Sequence, residues 1–288
     1  MTPTEATWRR VNRERPCPIC GHTDWCSTSA DGAVAICMRA ESARPTKNGG
    51  FLHRLTDAPR PQTPRAVVLR IRSAAPDFTP LATSYQEAAS ADQLDELAAQ
   101  LGVSVANLNA FRVGWSCSHD AHTFPMADPA SGRVCGIRLR AVDGAKCSVS
   151  GGREGLFLPL DLDVTGKTLL VCEGASDAVA AHSVGFTATV GRPSCSGGTS
   201  HIVALVRAQR PACVALVADR DEPGVRGAEA LASILVLHHR DVRTITPPAG
   251  VKDLRAWVQS GATREDVERT IHVADVRRAN LTTTSRKG

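Results

Sequence analysis

Aromatic residues are scarce in this 288-residue chain: 4 Trp, 6 Phe and a single Tyr, 4% of the sequence. Its core must therefore rest on Val, Leu, Ala and Ile. Long apolar runs are missing too. No stretch approaches the ~18 apolar residues of a membrane span, which leaves no membrane role for a helix. The N-terminus, MTPTEATWRRVNRER, carries positive charge but lacks the apolar segment of a secretory signal. The 10 cysteines do not form a disulfide framework. Four lie in the first forty residues and the others are scattered singly. Cys172 and Cys213 fall inside apolar runs, where cysteine acts as a small hydrophobe. These absences point to a reducing, cytoplasmic setting.

What is present fits a folded protein. Hydrophobic residues make up 42% and charged residues 22%. The length suits about two domains plus a small module. The net charge of +5 is unevenly placed: residues 1–72 hold 12 Lys and Arg against 6 Asp and Glu, a local +6 that leaves −1 for the rest. A basic end beside a near-neutral body points to a polyanionic partner, nucleic acid first, although an arginine-rich overall composition gives the same count.

Two runs carry the most information. Val171-Cys172-Glu173-Gly174 and Leu216-Val217-Ala218-Asp219-Arg220-Asp221 are apolar stretches that break off at acids. Such runs read as buried strands of a parallel sheet, whose chemistry sits beyond the carboxyl ends of the strands. Glu173, Asp219 and Asp221 are therefore expected in one crevice. Asp219 and Asp221 are two apart, so an extended chain points both to one face. Close carboxylates call for a proton or a divalent cation between them, and their hard oxygens suit Mg²⁺ or Mn²⁺. Solvated strand-end carboxylates are the plainer alternative.

The order glutamate-glycine after one strand, then aspartate-x-aspartate after a later one, resembles the Toprim domain over roughly residues 165–260. That domain is shared by bacterial and phage primases, topoisomerases and some nucleases. Asp177, four after Glu173, either orients Glu173 or a metal-bound water, or is an exposed charge in the first turn of a helix. Lys252-Asp253 resembles a lysine-aspartate seen late in primase Toprim regions, which would make Asp253 a further metal carboxylate.

At the other end, Cys17-Pro18-Ile19-Cys20-Gly21 has the form of a zinc knuckle, with the glycine permitting left-handed backbone. Asp31-Gly32 between strand-like runs signals a hairpin. A turn centred there sets Cys26 opposite Cys37, with Cβ atoms ~5 Å apart. The second half of the expected ribbon is incomplete, because Ala40 stands three after Cys37. The fourth ligand beside Cys17, Cys20 and Cys37 is then Cys26 or His53; His22 follows the knuckle too directly. A redox pair is the alternative for Cys17 and Cys20, but no βαβ unit surrounds them. A ribbon this small buries little core, so the metal would hold it together. A zinc ribbon ahead of a Toprim-like region resembles phage and bacterial DNA primases.

The Pro- and Arg-rich stretch 57–80 reads as a semi-extended linker. Ser90 with Gln93 forms a capping box, and Gly102 ends that helix before a shorter one begins at Ser104. The two helices read as a packing pair rather than a helix-turn-helix. From residue 123 the chain reads as β-rich. A turn at Asp143-Gly144 sets Lys146 opposite Arg140, so Arg138, Arg140 and Lys146 share a face, with Arg153 following. Cations grouped on one face imply an anion, or else a solvated outer face. The order and context of these four also resemble the basic set that meets the nucleotide in primases, and Lys252 joins it. Gly166-Lys167-Thr168 imitates the end of a P-loop, but a strand and not a helix follows it.

The expected architecture is α/β: a zinc-ribbon hairpin module (1–56), the linker (57–80), an α+β subdomain (81–164), a Toprim-like parallel sheet flanked by helices (165–280) and a disordered tail (281–288). The resemblance implies a DNA primase-like nucleotidyltransferase, with structural Zn²⁺ and catalytic Mg²⁺ or Mn²⁺. Its partners would be a single-stranded DNA template, ribonucleoside triphosphates and a separate replicative helicase. A non-catalytic DNA-binding or helicase-recruiting module and a Toprim nuclease remain open. A strand-passing topoisomerase is disfavoured, because the sole tyrosine, Tyr85, lies in a polar stretch.

Overall fold

The computed structural model describes residues 8–46, 49–56 and 76–279. The chain divides into two compact units, Met1–Ile71 and Arg72–Gly288. The expected linker as far as residue 75, and the tail 281–288, lie outside the described residues.

The first unit is a four-stranded antiparallel sheet of β1 (Trp8–Arg10), β2 (Ser27–Ser29), β3 (Val34–Cys37) and β4 (Phe51–Arg54), in that order. Ser27 pairs with Ile36, so extending the ladder by one pair sets Cys26 across from Cys37. Gly32 takes the left-handed conformation of the turn, at φ +70°. The buried apolar cluster of this unit is only Val11 and three cysteines, too little to hold ~45 residues without another source of stability.

The second unit opens with α1 (Thr79–Ala88), α2 (Ala91–Leu101) and α3 (Val105–Ala110). The capping box at Ser90 is formed, and Gly102 ends α2 at φ +68°. Leu94, Leu97, Leu101 and Leu108 are buried together with Leu170 and Val179, so α2 and α3 are a packing pair. A four-stranded antiparallel sheet follows: β5 (Gly114–Ser116), β6 (Ala121–Ala127), β7 (Val134–Ala141) and β8 (Lys146–Ser148), paired in sequence order.

Next come β9 (Thr168–Cys172), α4 (Ala175–Ser183), β10 (Thr189–Gly191), α5 (Thr199–Gln209), β11 (Cys213–Val217), α6 (Glu222–Leu235) and β12 (Val242–Ile245). The chain continues into α7 (Leu254–Gln259) and α8 (Arg264–Val273). The four strands form a parallel sheet in the order β10-β9-β11-β12. Side chains alternate across it, which explains the unbroken apolar runs. Leu170, Cys172, Ala215 and Val217 belong to the core that includes residues of α4, α7 and α8. Leu169, Val171, Val214 and Leu216 belong to the core that includes residues of α5 and α6. The parallel sheet with flanking helices and the separate antiparallel hairpin sheet match the expected α/β class. Among the described residues no helix is long and apolar enough to cross a membrane.

Candidate active site and metal cluster

In the first unit, one ligand atom from each of Cys17, Cys20, Cys26 and Cys37 lies within 4.8 Å of the others. Cys26 Sγ stands 3.8 Å from Cys20 Sγ and 3.9 Å from Cys37 Sγ. Gly21 is left-handed at φ +72°, and its N–H closes the knuckle onto the Cys17 carbonyl at 2.8 Å. Main-chain N–H groups converge on the sulfurs: Met38 on Cys26 at 3.4 Å, and Ala40 on Cys37 at 3.2 Å. Ala40, where a second knuckle would carry its cysteine, thus contributes through its backbone. His53 is not in the cluster; its Nε2 donates to the Ala40 carbonyl at 3.0 Å. His22 Nδ1 lies 2.9 Å from the Cys20 carbonyl instead. The N–H of His22 draws the Cys20 thiol down to about 6, while burial lifts Cys26 to about 12. Four sulfurs this close suit one tetrahedral metal ion.

The second unit holds a cavity of about 430 Å³ beyond the carboxyl ends of the parallel strands. One wall is acidic. Glu173 follows β9 directly, Asp219 lies two residues after β11, Asp177 sits in the first turn of α4, and Asp253 precedes α7; all four line the cavity. Asp177 is buried, not an exposed helix charge, and accepts the Arg255 N–H at 3.1 Å. Asp253 caps α7, its Oδ1 accepting the Ala256 N–H at 2.7 Å. Asp221 is close enough for its charge to act on Glu173 and Asp219, but it does not line the cavity. Its Oδ1 caps α6 by accepting the Gly224 N–H at 2.8 Å. Gly224 also makes room for the acids. A Cβ there would lie 2.8 Å from Glu173 Oε2 and 2.9 Å from the Asp219 Cβ.

This crowding shows in the acidities. Burial first, and then the charges of Asp177, Glu173, Asp253 and Asp221, push Asp219 up to about 7. Burial and the charge of Asp253 raise Asp177. Burial and Asp221 raise Glu173, with Arg192 and Lys252 acting against them.

Cations line the same cavity. Arg140 pairs in register with Lys146 across β7 and β8, and both line the cavity with Arg138, Lys252 and Arg255. Arg138 spends one nitrogen on the Pro193 carbonyl at 3.0 Å, which ties β7 to the loop after β10. Arg140 reaches Gln100 Oε1 at only 3.5 Å, and burial followed by the Arg255 charge disfavours its protonated form. Arg153 is exposed and does not line the cavity.

Two arginines at the site escaped the sequence reading. Arg192, 5% exposed, donates to the Gly197 and Gly227 carbonyls and holds a positive charge near Glu173. It follows β10 directly, a position with no acidic signal to mark it. Arg255 lies two residues after Asp253, in a stretch with no motif to mark it.

Paired carboxylates at parallel strand ends, sharing a cavity with cations of an antiparallel sheet, suit a substrate that carries phosphate groups. No protein-family model matches the chain, and no curated protein matches its sequence. Solved structures do match. The Escherichia coli primase catalytic core aligns with 20% identity over 68% of this chain and 79% of its own, with a TM-score of 0.54. A DnaG primase catalytic domain bound to single-stranded DNA aligns with 18% identity over 68% and 79%, at 0.54. The fold is that of a primase catalytic core. A chain from a bacteriophage T7 assembly also has it, with 17% identity over 62% of this chain and 91% of its own, at 0.51. That assembly joins the lagging-strand DNA polymerase to primase domains of two gp4 subunits, bound to an RNA/DNA hybrid and dTTP.

Proposed function

We propose that this protein synthesises short RNA primers on single-stranded DNA. The observation that carries the reading is a single cavity lined by both carboxylates and cations, on a primase fold. The carboxylate wall fits Mg²⁺ or Mn²⁺. Its donors are hard oxygens, and burial followed by the neighbouring carboxylates lifts Asp219 to about 7, a penalty that a divalent cation would relieve. Glu173, Asp219 and Asp221 would hold the metal, with Asp177 and Asp253 completing the acidic surround. When bound there, a divalent ion would supply charge neutralisation for a triphosphate and activation of a 3′-hydroxyl.

The protein's own groups do the rest. Arg140, Lys146 and Lys252 bind phosphate oxygens, and Arg138 helps while anchoring the loop at Pro193. Arg153, exposed outside the cavity, would meet a template phosphate. Residues 1–56 form a module in which the four cysteines hold Zn²⁺, and this basic module grips the template. Residues 81–280 form the core that joins ribonucleotides. The cation wall favours polymerisation over nuclease action, because a nuclease needs no triphosphate site.

The test combines metal binding with synthesis. Mn²⁺ titration calorimetry and labelled-ribonucleotide incorporation on single-stranded DNA are run on the wild type and on Asp219→Asn/Asp221→Asn. The variant should keep its circular dichroism and lose both metal binding and incorporation. Incorporation at the wild-type level by the variant rejects the proposal.

A further inference from the structure

Arg255 stands in the first turn of α7, and its side chain lines the cavity at 26% exposure. Its main-chain N–H is spent on Asp177, but its guanidinium is not spent at all. Among the described residues no acceptor lies within hydrogen-bond range of that group, and its Nε is fully buried without a partner. The only ion pair is loose: Asp253 Oδ2 lies 3.7 Å from Nη2, while the other oxygen of that carboxylate caps α7. Nε carries one of the five N–H donors of the guanidinium, and leaving it buried and unmet is costly. Its other charged neighbours in the cavity include Arg140, Lys146 and Lys252, which repel it.

We infer that Arg255 is a phosphate-binding residue of this cavity, gripping non-bridging oxygens of a nucleoside triphosphate. The substrate class rests on the proposed function above. The residue's role rests on its unspent donors among converging cations. Planar guanidinium matches two phosphate oxygens at once, which a lysine ammonium does not. A triphosphate is favoured over a nucleic-acid backbone because several cations converge on one cavity rather than along a track. The competing role is that of a fixed counter-charge for Asp177 and Asp253 with no ligand of its own.

The full-length protein is titrated with ATP, inorganic triphosphate, AMP and a short single-stranded DNA, in the presence of Mg²⁺. Wild type, Arg255→Ala, Arg255→Gln and Arg255→Lys are compared, each checked by thermal melting. The backbone contact to Asp177 survives all three changes, so folding should persist. Arg255→Ala and Arg255→Gln should weaken ATP and inorganic triphosphate about tenfold or more, with AMP and DNA little changed. Arg255→Lys should recover part of that loss. Unchanged triphosphate affinity in Arg255→Ala, alone or with tighter Mn²⁺ binding, leaves only the counter-charge role and overturns the inference. A loss confined to DNA overturns it as well. A wild type that binds neither ATP nor inorganic triphosphate refutes the reading of the whole cavity, which is a separate failure.

Discussion

Replacing Asp219 by Asn should make the metal-free protein more stable at pH 8. The folded protein holds this carboxyl near 7, against an ordinary value of 3.8, through burial and the charges of Asp177, Glu173, Asp253 and Asp221. Between those two values the unfolded chain releases its proton and the folded chain keeps it. The unfolded state therefore binds fewer protons there, and stability falls as pH rises from about 4 to about 7. A displacement of that size corresponds to roughly 4 kcal/mol. The group is only half-buried and solvent screens it, so about 2 kcal/mol is the realistic size. Asn fills the same space without the charge and should recover that amount. In urea melts with EDTA, Asp219→Asn should exceed the wild type by about 2 kcal/mol at pH 8 and converge with it near pH 4. Mg²⁺ should close the gap at pH 8 by stabilising the wild type alone. A variant that is less stable than the wild type at pH 8 in EDTA would refute the claim that these carboxylates are mutually repelling.

Gly224→Ala should damage the same site by shape. The added Cβ would press on Glu173 Oε2 at 2.8 Å and on the Asp219 main-chain oxygen at 3.0 Å. Such overpacking costs about 1–3 kcal/mol, and the better helix propensity of Ala offsets about 1. Calorimetry should show weaker Mn²⁺ binding with a melting point that drops only modestly, and unchanged binding counts against the close approach. Native mass spectrometry of the wild type should find one Zn²⁺, which Cys17→Ser and Cys26→Ser lose and His53→Ala keeps. Zn²⁺ loss in His53→Ala would return that residue to the ligand set. Deleting residues 1–58 should flatten the salt dependence of DNA binding, the slope falling by about 0.7 for each single-strand phosphate contact removed. An unchanged slope assigns the module to some role other than template contact.

The parallel sheet was legible because its strands are buried on both faces. That makes Leu169–Cys172 and Cys213–Val217 continuous apolar runs, and their abrupt acidic ends marked Glu173 and Asp219, with Asp177 noted from its spacing of four from Glu173. The hairpin placing Cys26 opposite Cys37 followed from Asp31-Gly32 alone, because turn chemistry fixes register. Elements whose apolar face is small were missed. Helix α1 buries only Ala82, so TPLATSYQEA gives almost no periodic signal. Helix α7 spans six residues, too few to show a repeat. Helix α6 begins at Glu222 with Asp221 as its cap, so the Pro223-Gly224 pair, in form a turn signal, sits inside its first turn. The same capping occupies one oxygen of Asp221, which does not line the cavity itself although its charge reaches Glu173 and Asp219, and the two-residue alternation of an extended strand did not anticipate this. Arg192 and Arg255 were invisible because their roles come from burial and from spent or unspent donors, and neither is written in residue spacing.

If one cavity joins ribonucleotides under template direction, dinucleotide synthesis without a primer reveals it in a single assay. The full-length protein is incubated with unprimed single-stranded DNA, Mg²⁺ or Mn²⁺, and ribonucleoside triphosphates labelled at the γ-phosphate. The account predicts short products that keep the label at their 5′ end, match the template, and vanish with EDTA or in Asp219→Asn/Asp221→Asn. Binding of metal, nucleotide and template without any labelled product, or template cleavage in its place, would contradict it.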